Sequence, residues 1–262
     1  MKKSIERLHY ENADLWSRVR WADASLVAER AGRVLELIPE SARSVLDVGS
    51  GNGLLARLSR GKHPIVSLDR SIAALQQAEG KRCQGTAFAL PFGTDSFDVV
   101  VSMEMLEHLP APSYQPALEE ITRVSRKYII ITVPFMESLT RSFVTCPQCY
   151  CYFHPYYHVR QYDADILHNL FALCGWSCTL LEPVGISRTK RMQPVWQLIR
   201  LYFHRRGANF PRDATCPQCG YKRPETNSEQ PPGWYSTPIR KRLDSAWPTC
   251  PAYLWWLAMY KS

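Results

Sequence analysis

Ten residues constrain this 262-residue chain more than any others: Ser44-Val45-Leu46-Asp47-Val48-Gly49-Ser50-Gly51-Asn52-Gly53. Apolar residues around one acid predict a short buried strand. The glycine-rich turn leads into Leu54, Leu55 and Leu58, which open a helix. A strand, a glycine turn and a helix N-terminus together cradle nucleotide-like ligands, because glycines let the ligand reach the backbone and the helix offers free N–H groups. The spacing then narrows the ligand. A dinucleotide fingerprint needs glycine at the first, third and sixth positions, and the sixth here is Leu54. What stands instead is Asp-x-Gly-x-Gly-x-Gly.

That pattern resembles motif I of the class I S-adenosylmethionine (SAM) methyltransferases. SAM has no pyrophosphate to place on the helix dipole; it carries an ammonium group, for which a strand-end carboxylate is a suitable partner. The resemblance implies that Asp47, Gly49, Ser50, Gly51 and Gly53 hold the methionine portion. Pro64 to Asp69 reads as the second strand, with Ser71 as a helix N-cap. Asp69 follows Asp47 by 22 residues, in register to accept hydrogen bonds from both ribose hydroxyls of an adenosyl ligand, with Arg70 beside it. Gly85 to Phe92 and Ser96 to Val101 resemble the third and fourth motifs. Many family members carry Asp where Thr86 stands, so a hydroxyl or backbone contact near Thr86 and Ala87 must serve the adenine. Met103 closes the cofactor-side set.

The remaining pattern alternates. A helix is expected over residues 4–38, where Leu26, Val27, Ala31, Val34, Leu35 and Ile38 keep a 3.6 spacing up to Pro39. Tyr10, Trp16 and Trp21 precede it, as core aromatics or, by resemblance, as part of a cap touching substrate. A helix over 113–125 leads into a strand from Tyr128 to Val133. Asp163 caps a helix through Leu173 that ends at Gly175. Cys178 to Leu181 and Tyr253 to Tyr260 read as the last strands. The expected fold is α/β: a doubly wound, seven-stranded, Rossmann-like methyltransferase sheet, its last strand antiparallel by resemblance. The expected organisation is an N-terminal helical cap over 1–40, a SAM-binding core over 41–185 and 251–262, and insertions over 140–160 and 186–250.

Four of nine cysteines sit in two Cys-Pro-Gln-Cys knuckles, Cys146 with Cys149 and Cys216 with Cys219. Each knuckle can offer two thiolates to one ion, and four make a closed tetrahedral Zn²⁺ site of structural character. Redox pairs are the alternative, and Cys151 and His154 stand nearby as spare ligands. The fold brings both knuckles to the C-terminal edge of the sheet. Cysteine usage of this kind, with no apolar leader and no stretch long enough to span a bilayer, predicts a soluble cytoplasmic protein.

Charge is concentrated. The net charge is +8, and residues 186–223 hold nine Lys/Arg against one acid, leaving 23 of each sign elsewhere. Val195, Trp196, Leu198, Ile199, Tyr202 and Phe203 give this segment an apolar stripe. It reads as a solvated basic helix, or as a surface for an anionic small-molecule substrate, RNA or an anionic membrane. Residues 224–238 read as a loop or lid.

Methyl transfer is an in-line displacement in which the enzyme positions the partners and, for a hydroxyl, removes a proton. Catalytic groups are therefore expected beyond strands 4 and 5. There Glu104, Glu107 and His108 fall at spacings of three and four, which would place them on one face of a helical turn. This Glu-x-x-Glu-His resembles the metal-binding element of ubiquinone-pathway O-methyltransferases and of the 2′-O-methyltransferases of small RNAs. There a further histidine after strand 5 completes the site, matched here by His158, or else His154. The four residues could hold Mg²⁺ or another divalent ion, act without metal as base or substrate contact, or be structural. The expected activity is methyl transfer to an oxygen or nitrogen of a small or anionic metabolite. The alternatives are RNA methylation, or SAM binding and zinc-ribbon interaction without catalysis.

Overall fold

The computed structural model describes residues 9–18, 24–190, 210–211, 214–223 and 249–262. The elements in chain order are α1 (Ala13–Arg18), α2 (Ala24–Leu37), β1 (Val45–Val48), α3 (Leu54–Ser59), β2 (Ile65–Asp69), α4 (Ile72–Leu75), β3 (Lys81–Gln84) and β4 (Phe97–Met103). A short 3₁₀ turn follows over Leu106–His108. Then come α5 (Ala111–Val124), β5 (Ser125–Pro134), α6 (Leu139–Ser142), β6 (Val144–Thr145), β7 (Tyr152–Phe153), α7 (Ala164–His168), a 3₁₀ turn (Ala172–Cys174), β8 (Ser177–Lys190) and β9 (Thr249–Lys261).

Seven strands form one sheet in the order β3-β2-β1-β4-β5-β9-β8, and β9 runs antiparallel to both its neighbours. The expected architecture is present. Its cause is visible in the strand interiors. β1 is buried along its whole length and β4 nearly so, which suits parallel strands covered on both faces. Alternation divides the side chains. Leu46, Val48, Val100, Ile129 and Ile131 meet Leu118, Ile121 and Val124 of α5 and the Leu167–Phe171 segment. Val45, Val99, Val101 and Ile130 meet Ala31, Val34 and Ile38 of the α2 region and Leu54 and Leu55 of α3. Asp47 shares that second face.

Where β1 hands over to α3 the backbone is left-handed. Gly53 has φ 72°, and a methyl group there would sit 2.6 Å from Ala78 Cβ. Glycine is the residue that tolerates both demands.

Several expectations require correction. The helical run over 4–38 is broken among the described residues, where Glu11 and Asn12 leave the helix and α1 begins afresh. The helix opened by Asp163, whose carboxylate accepts the Ile166 N–H, stops at His168. The chain turns at Asn169 so that Leu167 and Phe171 both reach full burial, and the 3₁₀ turn over Ala172–Cys174 then precedes Gly175. β3, absent from the sequence reading, is an exposed edge strand. Ser71 does cap α4, accepting the Ala74 N–H. The stripe from Val195 to Phe203, most of the basic segment, and residues 224–238 lie outside the described residues. No helix among the described residues is long and apolar enough to cross a membrane.

Candidate active site

The glycine loop hangs from β2. Leu68 O accepts the N–H groups of Gly49 and Ser50. The Asp69 carboxylate accepts Gly51 N–H at 2.9 Å with one oxygen and Ser71 N–H at 2.8 Å with the other. Burial pushes the Asp69 pKa up, and these backbone N–H groups oppose the rise. Each oxygen still has a lone pair for a further donor.

Asp47 differs. It is fully buried, and neither carboxylate oxygen has a hydrogen-bond partner. Burial drives its pKa up to about 7; the Asp69 charge adds to the rise and Arg30 opposes it. An unpartnered buried carboxylate is costly unless a cation answers it, so the site fits a ligand ammonium. Replacing Asp47 by asparagine should stabilise the ligand-free protein above neutral pH and weaken SAM binding. The sign follows from the raised folded pKa. Asp47's contribution is favourable below its unfolded pKa near 3.8 and is lost as pH rises through about 7, a span on the order of 2–4 kcal/mol. Urea unfolding from pH 5 to 8.5 should show wild type losing stability relative to Asp47→Asn; parallel curves would exclude the effect.

The N-terminal segment lies over the loop. The Trp16 ring presses on Gly51 so closely that a methyl there would meet it at 2.8 Å. Tyr10 O accepts both Trp16 Nε1–H and Ser71 Oγ–H at 2.7 Å. The Arg70 guanidinium sits 5.6 Å from the Tyr10 ring centre. Thr86 pairs with Ala89 in an isolated bridge, and Met103 packs against the core face that holds Val45, Leu54 and Val101. The aromatic cap is thus a contact of the glycine loop.

Across the cap lies the second cluster. Glu107 is fully buried, neither oxygen has a hydrogen-bond partner, and burial with the neighbouring Glu104 raises its pKa well above the ordinary range. His108 Nε2 is 3.9 Å from Glu107 Oε1. Val159 N–H donates to Glu107 O at 2.8 Å, which draws His158 alongside, and the His108 and His158 ring centres are 4.7 Å apart. One candidate ligand atom from each of Glu107, His108 and His158 lies within 4.8 Å of the others. Burial, aided by the facing His158, lowers the His108 pKa to about 3, so this imidazole is neutral. Its Nδ1 is 3.3 Å from Tyr10 Oη, whose hydrogen goes to Tyr156 O at 2.9 Å. His108 Nδ1 is then the donor, and Nε2 keeps the lone pair facing Glu107.

Glu104 does not join them. Its backbone turns left-handed (φ 53°) directly after β4, so no helical turn links it to Glu107. It pairs with Arg30 at 3.3 Å and accepts Trp255 Nε1–H at 2.8 Å. The shared helical face expected from spacing fails for that reason. Glu137, just beyond β5, was not singled out in the sequence. Its carboxylate reaches His154 Nε2 at 3.1 Å and His158 Nδ1 at 2.5 Å. Burial alone would raise its pKa, but those imidazoles hold it at about 2. The signal available was its place after strand 5, where catalytic groups are expected.

The four knuckle cysteines meet. Cys146 and Cys219 Sγ are 3.6 Å apart and Cys149 and Cys216 Sγ 3.5 Å, with all four within 4.8 Å. A tetrahedron with Zn–S bonds of about 2.3 Å has edges of about 3.8 Å, and a disulfide would need about 2.05 Å. The set fits one zinc ion. The knuckles fold alike: Tyr150 N–H returns to Cys146 O and Gly220 N–H to Cys216 O, and both residues take positive φ. Cys151 is not in this set, and His154 belongs to Glu137. Thr215, beside Cys216, ties the ribbon to the site, through Oγ1 to His9 Nδ1 at 3.0 Å and through O to Tyr157 Oη–H at 2.6 Å.

Residues 46–131 match the family model for the methyltransferase domain. Among solved structures, a Thermotoga maritima SAM-dependent methyltransferase, a possible histamine N-methyltransferase, is similar at 16% identity with TM-score 0.55, covering 97% of this chain and 98% of that one. A candidate methyltransferase from Bacillus halodurans gives 14%, 0.53, 91% and 98%. The complex of the Haloferax volcanii Trm112 methyltransferase activator with a candidate methyltransferase gives 18%, 0.54, 70% and 81%. At these identities the likeness is one of fold. No curated protein matches the chain.

Proposed function

We infer that this chain, whose residues 46–131 match the family model for the methyltransferase domain, uses SAM to methylate an oxygen or nitrogen of a small or anionic metabolite. The observation that carries the reading is one of placement. A carboxylate awaiting a cation (Asp47) and a carboxylate between imidazoles (Glu107, with His108 and His158) lie at the ends of adjacent strands under one aromatic cap. SAM supplies the electrophilic methyl group. On the protein side, Asp47 answers the ligand's ammonium, Gly49, Ser50, Gly51 and Gly53 let it approach the backbone, Asp69 takes ribose hydroxyls with its remaining lone pairs, and Arg70, Thr86, Ala87 and Met103 border the nucleoside.

The Glu107 carboxyl and two imidazoles converge, and a bound cation would displace the proton that burial favours on the carboxyl. That chemistry suits a divalent cation such as Mg²⁺, which would lower the pKa of a hydroxyl acceptor and orient it. Glu107, His108 and His158 would hold it, and Glu104 stays with Arg30 as an anchor beside them. Cys146, Cys149, Cys216 and Cys219 hold a structural Zn²⁺ with no open position. The positive segment over 186–223 attracts an anionic acceptor.

The test is transfer of label from SAM into a fractionated extract of the native host, with and without ribonuclease, chelator and added Mg²⁺ or Mn²⁺. Label in a small organic-soluble or anionic compound, indifferent to ribonuclease, is the expected result. Label released by ribonuclease would move the assignment to RNA. SAM binding with no labelled acceptor in any fraction would leave an interaction protein.

A further inference from the structure

The protons of the histidine cluster can be placed from hydrogen bonds alone. His158 backbone N–H donates to His154 Nδ1 at 3.2 Å. Nδ1 is therefore an acceptor, and a neutral imidazole then carries its hydrogen on Nε2. His154 Nε2 donates it to Glu137 Oε1 at 3.1 Å. The second carboxylate oxygen, Oε2, lies 2.5 Å from His158 Nδ1. A carboxylate only accepts, so His158 Nδ1 must be the donor. The nitrogen left with a lone pair is His158 Nε2.

Geometry reinforces the assignment. His154 and His158 stack with ring centres 4.4 Å apart and planes 17° apart, so Glu137 grips two parallel rings from one end. Glu137, His154 and His158 also form a group able to bind a cation themselves. Ligands of one ion with bonds of about 2.0–2.1 Å stand roughly 3.3 Å apart. Both nitrogen–oxygen separations here, 3.1 Å at His154 and 2.5 Å at His158, are shorter than that and are direct contacts between an imidazole nitrogen and a carboxylate oxygen.

We infer that Glu137 is a positioning residue, backed by His154, that locks His158 in the Nδ1–H tautomer so that Nε2 is the nitrogen presented beside Glu107 and His108. This rests on the reading of Glu107, His108 and His158 as the acceptor-side site. Carboxylate–imidazole pairs of this type orient a working nitrogen and raise its basicity. His108 is held in the same tautomer by a different device, the Tyr10 hydroxyl, so each ring keeps its lone pair on Nε2.

Long-range ¹H–¹⁵N spectra of the imidazole nitrogens test this directly, with the His158 signals assigned by their loss in His158→Gln. The wild type should show His158 protonated on Nδ1 and bare on Nε2. Glu137→Gln should lose that preference, because the amide replaces one acceptor by a donor and can satisfy only one of the two rings. His158 protonated on Nε2 in the wild type, or an unchanged tautomer in Glu137→Gln, overturns the inference. On the same samples, Mn²⁺ titration followed by electron paramagnetic resonance should show a 10–100-fold weaker Kd in Glu137→Gln, partly recovered in Glu137→Asp. Equal affinity in wild type and Glu137→Gln also counts against it. A wild type that binds no Mn²⁺ strikes the proposed divalent ion, while the ring-nitrogen spectra still decide the tautomer. An unchanged SAM affinity and unfolding midpoint in Glu137→Gln confirm that the fold is intact.

Discussion

Serine in place of Cys216 should empty the zinc site and uncouple the ribbon from the acceptor pocket. Structural zinc in small peptides contributes about 10–16 kcal/mol to folding at neutral pH. Among the described residues the ribbon's own structure is small: two-residue strands β6 and β7 and a six-residue apolar cluster of Val144, Cys146, Phe153, Phe210, Ala214 and Cys216. The sheet should survive, because its cores draw on none of those residues. The acceptor side should not. Thr215 anchors His9 and Tyr157, whose neighbours Tyr10 and His158 orient the imidazole cluster. The expected outcome is bound zinc falling from one equivalent to none by elemental analysis. SAM affinity should change by only a fewfold, with methyl transfer reduced by about 10–100-fold, as for the loss of outer support at a site. Full activity with no zinc bound would show that the ribbon does not position the site.

How much of this was readable beforehand depended on whether the signal was local. The glycine loop and Asp69 are strand-end features, and their roles in the fold follow from residues a few positions away. The two knuckles were readable because four thiols in two close pairs have few other uses, even at a separation of 66 residues. β3 escaped because Lys81, Arg82 and Gln84 are exposed at a sheet edge, where hydrophobic alternation disappears. Glu104 misled because spacing assumes a helix, and the chain spends one left-handed residue before turning. Glu137 and His154 were illegible as a pair. Nothing within a few residues of either names the other, and their contact spans 17 positions. The Tyr10 contact to His108 spans 98 positions and could not be read from periodicity.

The second large effect concerns Glu107. Glutamine there is nearly isosteric, so packing against Leu106 and the β4 end is kept while the charge goes. The wild-type carboxylate is fully buried with no donor on either oxygen, and such a group costs the ligand-free protein several kcal/mol unless paired. Because burial raises the Glu107 pKa, the cost grows as pH rises, and Glu107→Gln should unfold at a higher urea concentration than wild type by about 1–3 kcal/mol at alkaline pH, the gap closing as pH falls, measured without added cation. Methyl transfer should fall by about 10²–10⁴-fold, the range for loss of acid–base assistance, with SAM affinity unchanged, since Asp47 and Asp69 are untouched. Added Mn²⁺ should raise the unfolding midpoint of wild type and leave that of the variant where it is. These results separate two meanings of a buried carboxylate. A structural Glu107 predicts a less stable variant, whereas a site held at a stability cost for a cation predicts a more stable and inactive one.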